Sequence, residues 1–133
     1  MKRTRFPTIN HAVVLACALL TACAVAPVGG LSEVMQRPAE RALLAGLRAY
    51  DDGQYADAER ELNQALTTGL VSTKDRAAAH KHLAFVYCSS QRAKPCEEAF
   101  RAARKADAEF ALTRAEAGHP LWGPVYKRVA AAP

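Results

Sequence analysis

Between residues 55 and 68 the apolar side chains recur at helical spacing: Ala58, Leu62, Ala65 and Leu66 stand at i, i+4, i+7 and i+8, on one face of an α-helix. The flanking residues punctuate the chain in the same sense. Gly69 and Gly118 sit where helices should stop, Ser72-x-x-Asp75 offers a start, and Pro95 with Glu97 and Glu98 suits a first turn. Four helices are expected, near 38–52, 55–68, 73–90 and 95–107. A fifth segment, Ala108 to Gly118, carries Phe110, Leu112 and Ala115 and is expected to pack as a cap. His119-Pro120-Leu-Trp122-Gly-Pro124 then breaks the helix, and Pro124 can open a short last one. Alanine is abundant and β-branched residues are few, which favours closely packed helices over strands. A chain of 133 residues has room for one small domain, and the reading is an all-α body.

The helices repeat. Ala42, Ala45, Gly46 and Ala49, followed by Gly53, Tyr55, Ala58, Leu62, Ala65 and Leu66, make one copy of a helix–turn–helix pattern. His80, Leu83, Ala84 and Tyr87, followed by Cys96, Phe100 and Ala103, make a second. Gly46 and Ala84 are the small residues that let adjacent helices approach, and they lie 38 positions apart. Both copies resemble the tetratricopeptide repeat, a pair of antiparallel helices with a usual period of about 34 residues. Tyr50-Asp-Asp-Gly-Gln-Tyr55-Ala-Asp-Ala58 is similar to that family's inter-helix turn. The longer period fits the connection around Gly69-Leu-Val-Ser72. The resemblance implies a short array of two helix pairs plus a C-terminal capping helix over residues 37–133. Repeat arrays need covered ends, so Trp122 reads as a capping residue ahead of a ligand anchor.

Ahead of this body, Met1 to Arg5 is basic, and His11-Ala-Val-Val-Leu-Ala-Cys-Ala-Leu-Leu20 is apolar but shorter than the roughly 20 residues a membrane span needs. That layout is an export signal. Leu20-Thr21-Ala22-Cys23 resembles the lipobox of bacterial lipoprotein precursors. The resemblance implies a signal peptide over 1–22, with Cys23 lipidated as the first mature residue. Val14-Leu15-Ala16-Cys17 is a rival box with too little apolar core ahead of it, and an ordinary cleaved signal is the other alternative. More than one acyl chain on Cys23 would hold the membrane stably. Ala24 stands where lipoproteins kept in the inner membrane usually carry Asp, which implies the outer membrane and its periplasmic face. Residues 23–36, with Pro27, Gly29 and Gly30, read as a flexible tether.

After cleavage Cys88 and Cys96 remain, in an oxidising compartment. They flank Ser89-Ser-Gln-Arg-Ala-Lys-Pro95 at one inter-helix turn, near enough for a disulfide. The nine-residue loop it closes would contribute roughly 2.6 kcal/mol. The staple would compensate for the missing counterpart of Gly53; two reduced core thiols are the alternative. His80 and His82 point to different sides of a helix, and no C-x2-C or H-x3-H spacing exists, so no metal site is expected. His80 reads as a core residue and His82 as solvent-facing.

No catalytic motif is present, and no enzyme activity, cofactor or small-molecule substrate is expected. The formal charge of +5 comes from 18 bases and 13 acids. Lys2, Arg3 and Arg5 leave with the signal, so the mature balance is too even for a nucleic-acid binder. Lys74, Arg76 and Lys81 with Arg101, Arg104 and Lys105 read as either a mild basic patch or a solvated exterior. Leu43, Leu47 and Tyr50 share one face of the first helix and, with Lys81 and Phe85 from the second pair, form a candidate partner-binding groove. The alternative is that the linker or the final segment covers this stripe.

The whole plan is similar to that of the TssQ-like tetratricopeptide lipoproteins associated with the bacterial type VI secretion system. The likeness rests on the lipobox, two repeats with Cys88 and Cys96 across a turn, and the Ala115-Glu-Ala-Gly-His-Pro-Leu-Trp-Gly-Pro124 tail. It implies an accessory adaptor that binds an envelope protein; a role in pilus or outer-membrane assembly is the alternative.

Overall fold

A computed structural model describes residues 37–132. The expected signal peptide, Cys23 and the tether lie outside the described residues. Among the described residues six helices follow in order: α1 Pro38–Asp51, α2 Tyr55–Thr68, α3 Thr73–Ser89, α4 Ala93–Ala106, α5 Arg114–Ala117 and α6 Gly123–Ala131. The described residues contain no strand, and the all-α class holds.

Local chemistry sets these bounds. A proline opens α1, where a missing N–H costs nothing. Gly69 ends α2 with φ 102, a conformation that an L side chain resists. The Ser72 hydroxyl caps α3 by accepting from the Asp75 N–H at 3.2 Å. Pro124 lies in the first turn of α6. The fourth helix starts at Ala93, before Pro95, which moves Glu97 and Glu98 past the first turn. They pair within the helix instead, Glu97 with Arg101 at 2.5 Å and Glu98 with Lys94 at 3.9 Å.

Two helix pairs, α1–α2 and α3–α4, make the body. Gly46 allows α1 to lie against α2 because a Cβ there would stand 2.7 Å from Leu62 Cγ and 3.1 Å from its backbone nitrogen. Leu62 is wholly buried, and so is Phe100, its counterpart 38 positions on. Burying each such side chain stabilises the body by about 1.5–3 kcal/mol. The turns repeat with the same period. Gly53 N–H donates to the Tyr50 carbonyl and Gln54 N–H to that of Ala49. In the second turn Gln91 and Arg92 donate to Cys88 and Tyr87. Cys88 and Cys96 form the disulfide that braces this turn, with Cα atoms 5.2 Å apart. Arg92 also reaches Glu59 at 2.7 Å, tying the second turn to α2.

The C-terminal part differs from the sequence reading. Of Ala108–Gly118 only Arg114–Ala117 is helical, and the covering element is α6. Thr113 and Glu116 close a capping box around this single turn. The α6 helix lies against α4, where Tyr126 meets Phe100 edge-on at 5.5 Å and Arg104 donates to the Val129 carbonyl. The Tyr126 hydroxyl accepts from the Leu112 N–H at 3.2 Å and so holds the irregular connecting segment.

Candidate functional site

A continuous row of rings runs from the start of α2 across α1 and α3 to the C-terminal tail. Tyr55 and Tyr50 lie 5.7 Å apart, Tyr50 meets His82 edge-on at 5.2 Å, and Phe85 stands 6.1 Å from Tyr50. Phe85 then stacks on Trp122 at 4.3 Å, and His119 covers the far side of the indole at 3.4 Å. The indole N–H donates to the Glu116 carbonyl at 2.9 Å, which satisfies the one polar atom of the ring.

The five residues expected to line a groove are not equally available. Leu43 and Phe85 are buried, and Phe85 is covered by the tail through Trp122. Lys81 is held by Glu116 at 2.7 Å and sits 5.7 Å from the Phe85 ring centre. Leu47 and Tyr50 remain half-buried and reachable. The stripe therefore divides into a closed half beneath the tail and an open half near the first turn. Position along a helix does not reveal this, since Lys81 and Glu116 meet across 35 residues of sequence.

His82 also departs from the sequence reading. It is half-buried among Tyr50 and Phe85, and its Nδ1 lies 2.8 Å from the Ala78 carbonyl. Burial lowers its pKa below the usual 6.5, against the upward pull of that carbonyl. His80 is not a core residue. It is half-buried at the edge of a groove of about 390 Å³ with Asn63, Leu83 and Tyr87, and burial lowers its pKa too. Burial by itself would raise the Glu116 carboxyl, but hydrogen bonds from Lys81 and the Thr113 N–H hold it below its usual 4.5. Tyr50 is raised by burial and then by Tyr55, Asp51 and Glu116 nearby.

The six basic residues do not gather. Arg101, Arg104 and Lys105 border a cleft of about 490 Å³ beside α6, whereas Lys74 and Lys81 line a separate one of about 220 Å³ with Asp107 and Glu109. Arg76 is turned back onto the carbonyls of Leu70 and Val71. Among the described residues no group of His, Cys, Asp and Glu is placed to hold a metal ion. No described helix is long and apolar enough to cross a membrane.

Chemically, the open half offers π-faces, an apolar flank at Leu47 and hydrogen-bonding edges at Tyr50 and His82. Such a surface suits a side chain or segment from another molecule. Comparison with known proteins gives no match to a family model, to a curated protein or to a solved structure.

Proposed function

We propose that this chain is a tetratricopeptide-like, lipid-anchored periplasmic adaptor of the bacterial outer membrane. Its task is to bind an envelope protein, as an accessory of a type VI secretion system, and it performs no catalysis. Cys23 carries the lipid, and the helical body presents the docking face. The observation that carries the reading is the open half of the α1–α3 face, where Leu47, Tyr50 and His82 stay reachable beside a sealed Phe85–Trp122 stack. A rigid floor with an accessible aromatic rim places binding groups without a large ordering cost.

Crosslinking in intact envelopes with the full lipidated protein tests this. Secretion-system envelope proteins should be captured and then lost on Leu47→Asp/Tyr50→Asp, while the helical circular dichroism stays unchanged. Capture of pilus or outer-membrane assembly proteins by the same face would redirect the assignment. Capture that ignores the double substitution would remove the α1–α3 face from the function. Release of the protein from membranes on Cys23→Ser tests the anchor separately.

A further inference from the structure

His80 stands on a different side of α3 from His82, two positions on, and borders the groove of about 390 Å³ between α3 and α4. One wall is His80, Leu83 and Tyr87, at i, i+3 and i+7 of α3; the other is Pro95, Ala99 and Ala102, at i, i+4 and i+7 of α4. Leu83 and Ala99 are buried and make an apolar floor, while His80 and Tyr87 are half-buried at its edge. Among the described residues neither the His80 ring nor the Tyr87 hydroxyl has a hydrogen-bond partner. No side-chain polar atom is both fully buried and unsatisfied, so these edges stay open towards the groove. Asn63 of α2 adds a side-chain oxygen, since its amide group is committed to the Glu59 carbonyl at 2.8 Å.

The fold does not account for these polar edges. Both residues lie inside α3, which is capped by Ser72 at one end and Ser90 at the other, so neither serves as a cap. Ala42 and Ala49 fill the equivalent places 38 positions earlier, and both are buried, so a helix pair of this plan packs with methyl groups alone. Charge at the rim is already balanced: Arg92 meets Glu59 at 2.7 Å and Glu98 faces Lys94 at 3.9 Å. Burial keeps the His80 imidazole neutral at pH 7. A charged occupant would find no free counter-ion, whereas an uncharged one with hydrogen-bonding groups would find an apolar floor and unused polar edges. Seven helical steps run about 10 Å, the length of about three residues of extended chain.

We infer that the α3–α4 groove holds about three residues of an extended, uncharged segment of the partner protein, an apolar side chain resting on Leu83 and Ala99 and the flanking peptide groups hydrogen-bonded to His80 and Tyr87. The inference deepens the adaptor reading, rests on it for the existence of a partner, and places a second contact on α3 beside the Leu47–Tyr50 surface.

The test is a titration of the full chain with a blocked Ala-Leu-Ala peptide, followed by NMR at the His80 and Tyr87 ring protons, with blocked Ala-Lys-Ala and Ala-Glu-Ala peptides as controls. Only the leucine peptide should shift these rings. Tyr87→Phe, which removes one hydroxyl and keeps the ring, should weaken binding about fivefold, the value of one hydrogen bond. Ala102→Leu, which fills the groove from its half-buried wall, should abolish it. Lys127→Gln, on α6 outside the groove, should bind as the parent does. Equal response to the three peptides, or undiminished binding by Tyr87→Phe and Ala102→Leu, would overturn the inference. Self-association that Ala102→Leu abolishes would overturn it in favour of a second copy as occupant. Envelope crosslinking separates the two ideas. A partner captured through Leu47 and Tyr50, with no peptide bound in the groove, leaves the adaptor standing and discards the groove. Peptide binding without any captured partner upholds the groove chemistry and discards the adaptor.

Discussion

Gln91 occupies the place in the second turn that Gly53 holds in the first, 38 positions earlier, and takes the same left-handed backbone, φ 60 against φ 73. The α1–α2 turn meets this demand with the residue that adopts it freely. The α3–α4 turn meets it with a side chain that does not, and Cys88–Cys96 closes over the same turn. Gln91→Gly should therefore stabilise the protein by about 0.5–1 kcal/mol in urea unfolding, and Gln91→Val should destabilise it by a similar amount or more.

The disulfide supplies the larger share of that turn's stability. Reduction, or Cys88→Ser/Cys96→Ser, should lower the unfolding free energy by roughly 2.6 kcal/mol, the chain-entropy value for this loop. Adding Gln91→Gly to the reduced protein should recover part of the loss. Urea midpoints with and without reductant measure both effects.

Gly46→Ala tests the close approach of α1 and α2. The new methyl would stand 2.7 Å from Leu62 Cγ and 2.9 Å from Leu62 Cδ2. Overpacking of this kind costs about 1–3 kcal/mol, and the gain in helix propensity returns at most about 1 kcal/mol. A net fall in melting temperature is expected. Combining it with Leu62→Ala should cost less than the sum of the two single changes, which a double-mutant cycle measures.

Trp122 is the sole tryptophan of the chain and is stacked between Phe85 and His119. Trp122→Ala should cost about 3–5 kcal/mol, since a large buried ring is removed and Phe85 is exposed. In the parent protein, indole fluorescence should shift to longer wavelength in the same transition as loss of helix. An earlier shift would mean that the C-terminal cap opens separately from the body.

Acid should weaken the fold in two stages. His80 and His82 have folded pKa values lowered by burial, so the unfolded chain takes up protons first as the pH falls below about 6.5. Stability present above that value is lost on acidification. Glu116 is held below 4.5, so the stability from its contacts persists until the pH falls past the unfolded carboxyl value and towards its own. Urea midpoints from pH 7.5 to 5.5 should fall in the parent and stay nearly level in His80→Gln/His82→Gln.

Much of the helical layout was legible because periodicity and glycine act locally. Gly69, Ser72 and Pro124 each mark an element boundary through their own backbone or side chain. The spacing of Cys88 and Cys96 around one turn favours pairing over two reduced thiols, and the structure closes the bond. The cap was harder to read, because Ala108–Thr113 has an apolar pattern yet runs as irregular chain held by Tyr126 from a later helix. His82 departs from its helix-position reading for the same reason. Its neighbours Tyr50 and Phe85 come from another helix and from the next turn of its own, so the helix position alone suggests solvent. The split of the α1–α3 stripe depends on Trp122 and Glu116, which only tertiary packing brings to Phe85 and Lys81.

The seating of α6 on α4 gives the array a direction. Tyr126 rests on Phe100, and the Val129 carbonyl is taken by Arg104, so the flank of α4 where another helix pair would stack is already filled by the chain itself. Elongation from that side would first require α6 to be dislodged, with Phe100 and Trp122 left to find new neighbours. A partner's helices could not stack on that flank of α4 while α6 holds its seat, so the chain covers one end of its own helical array.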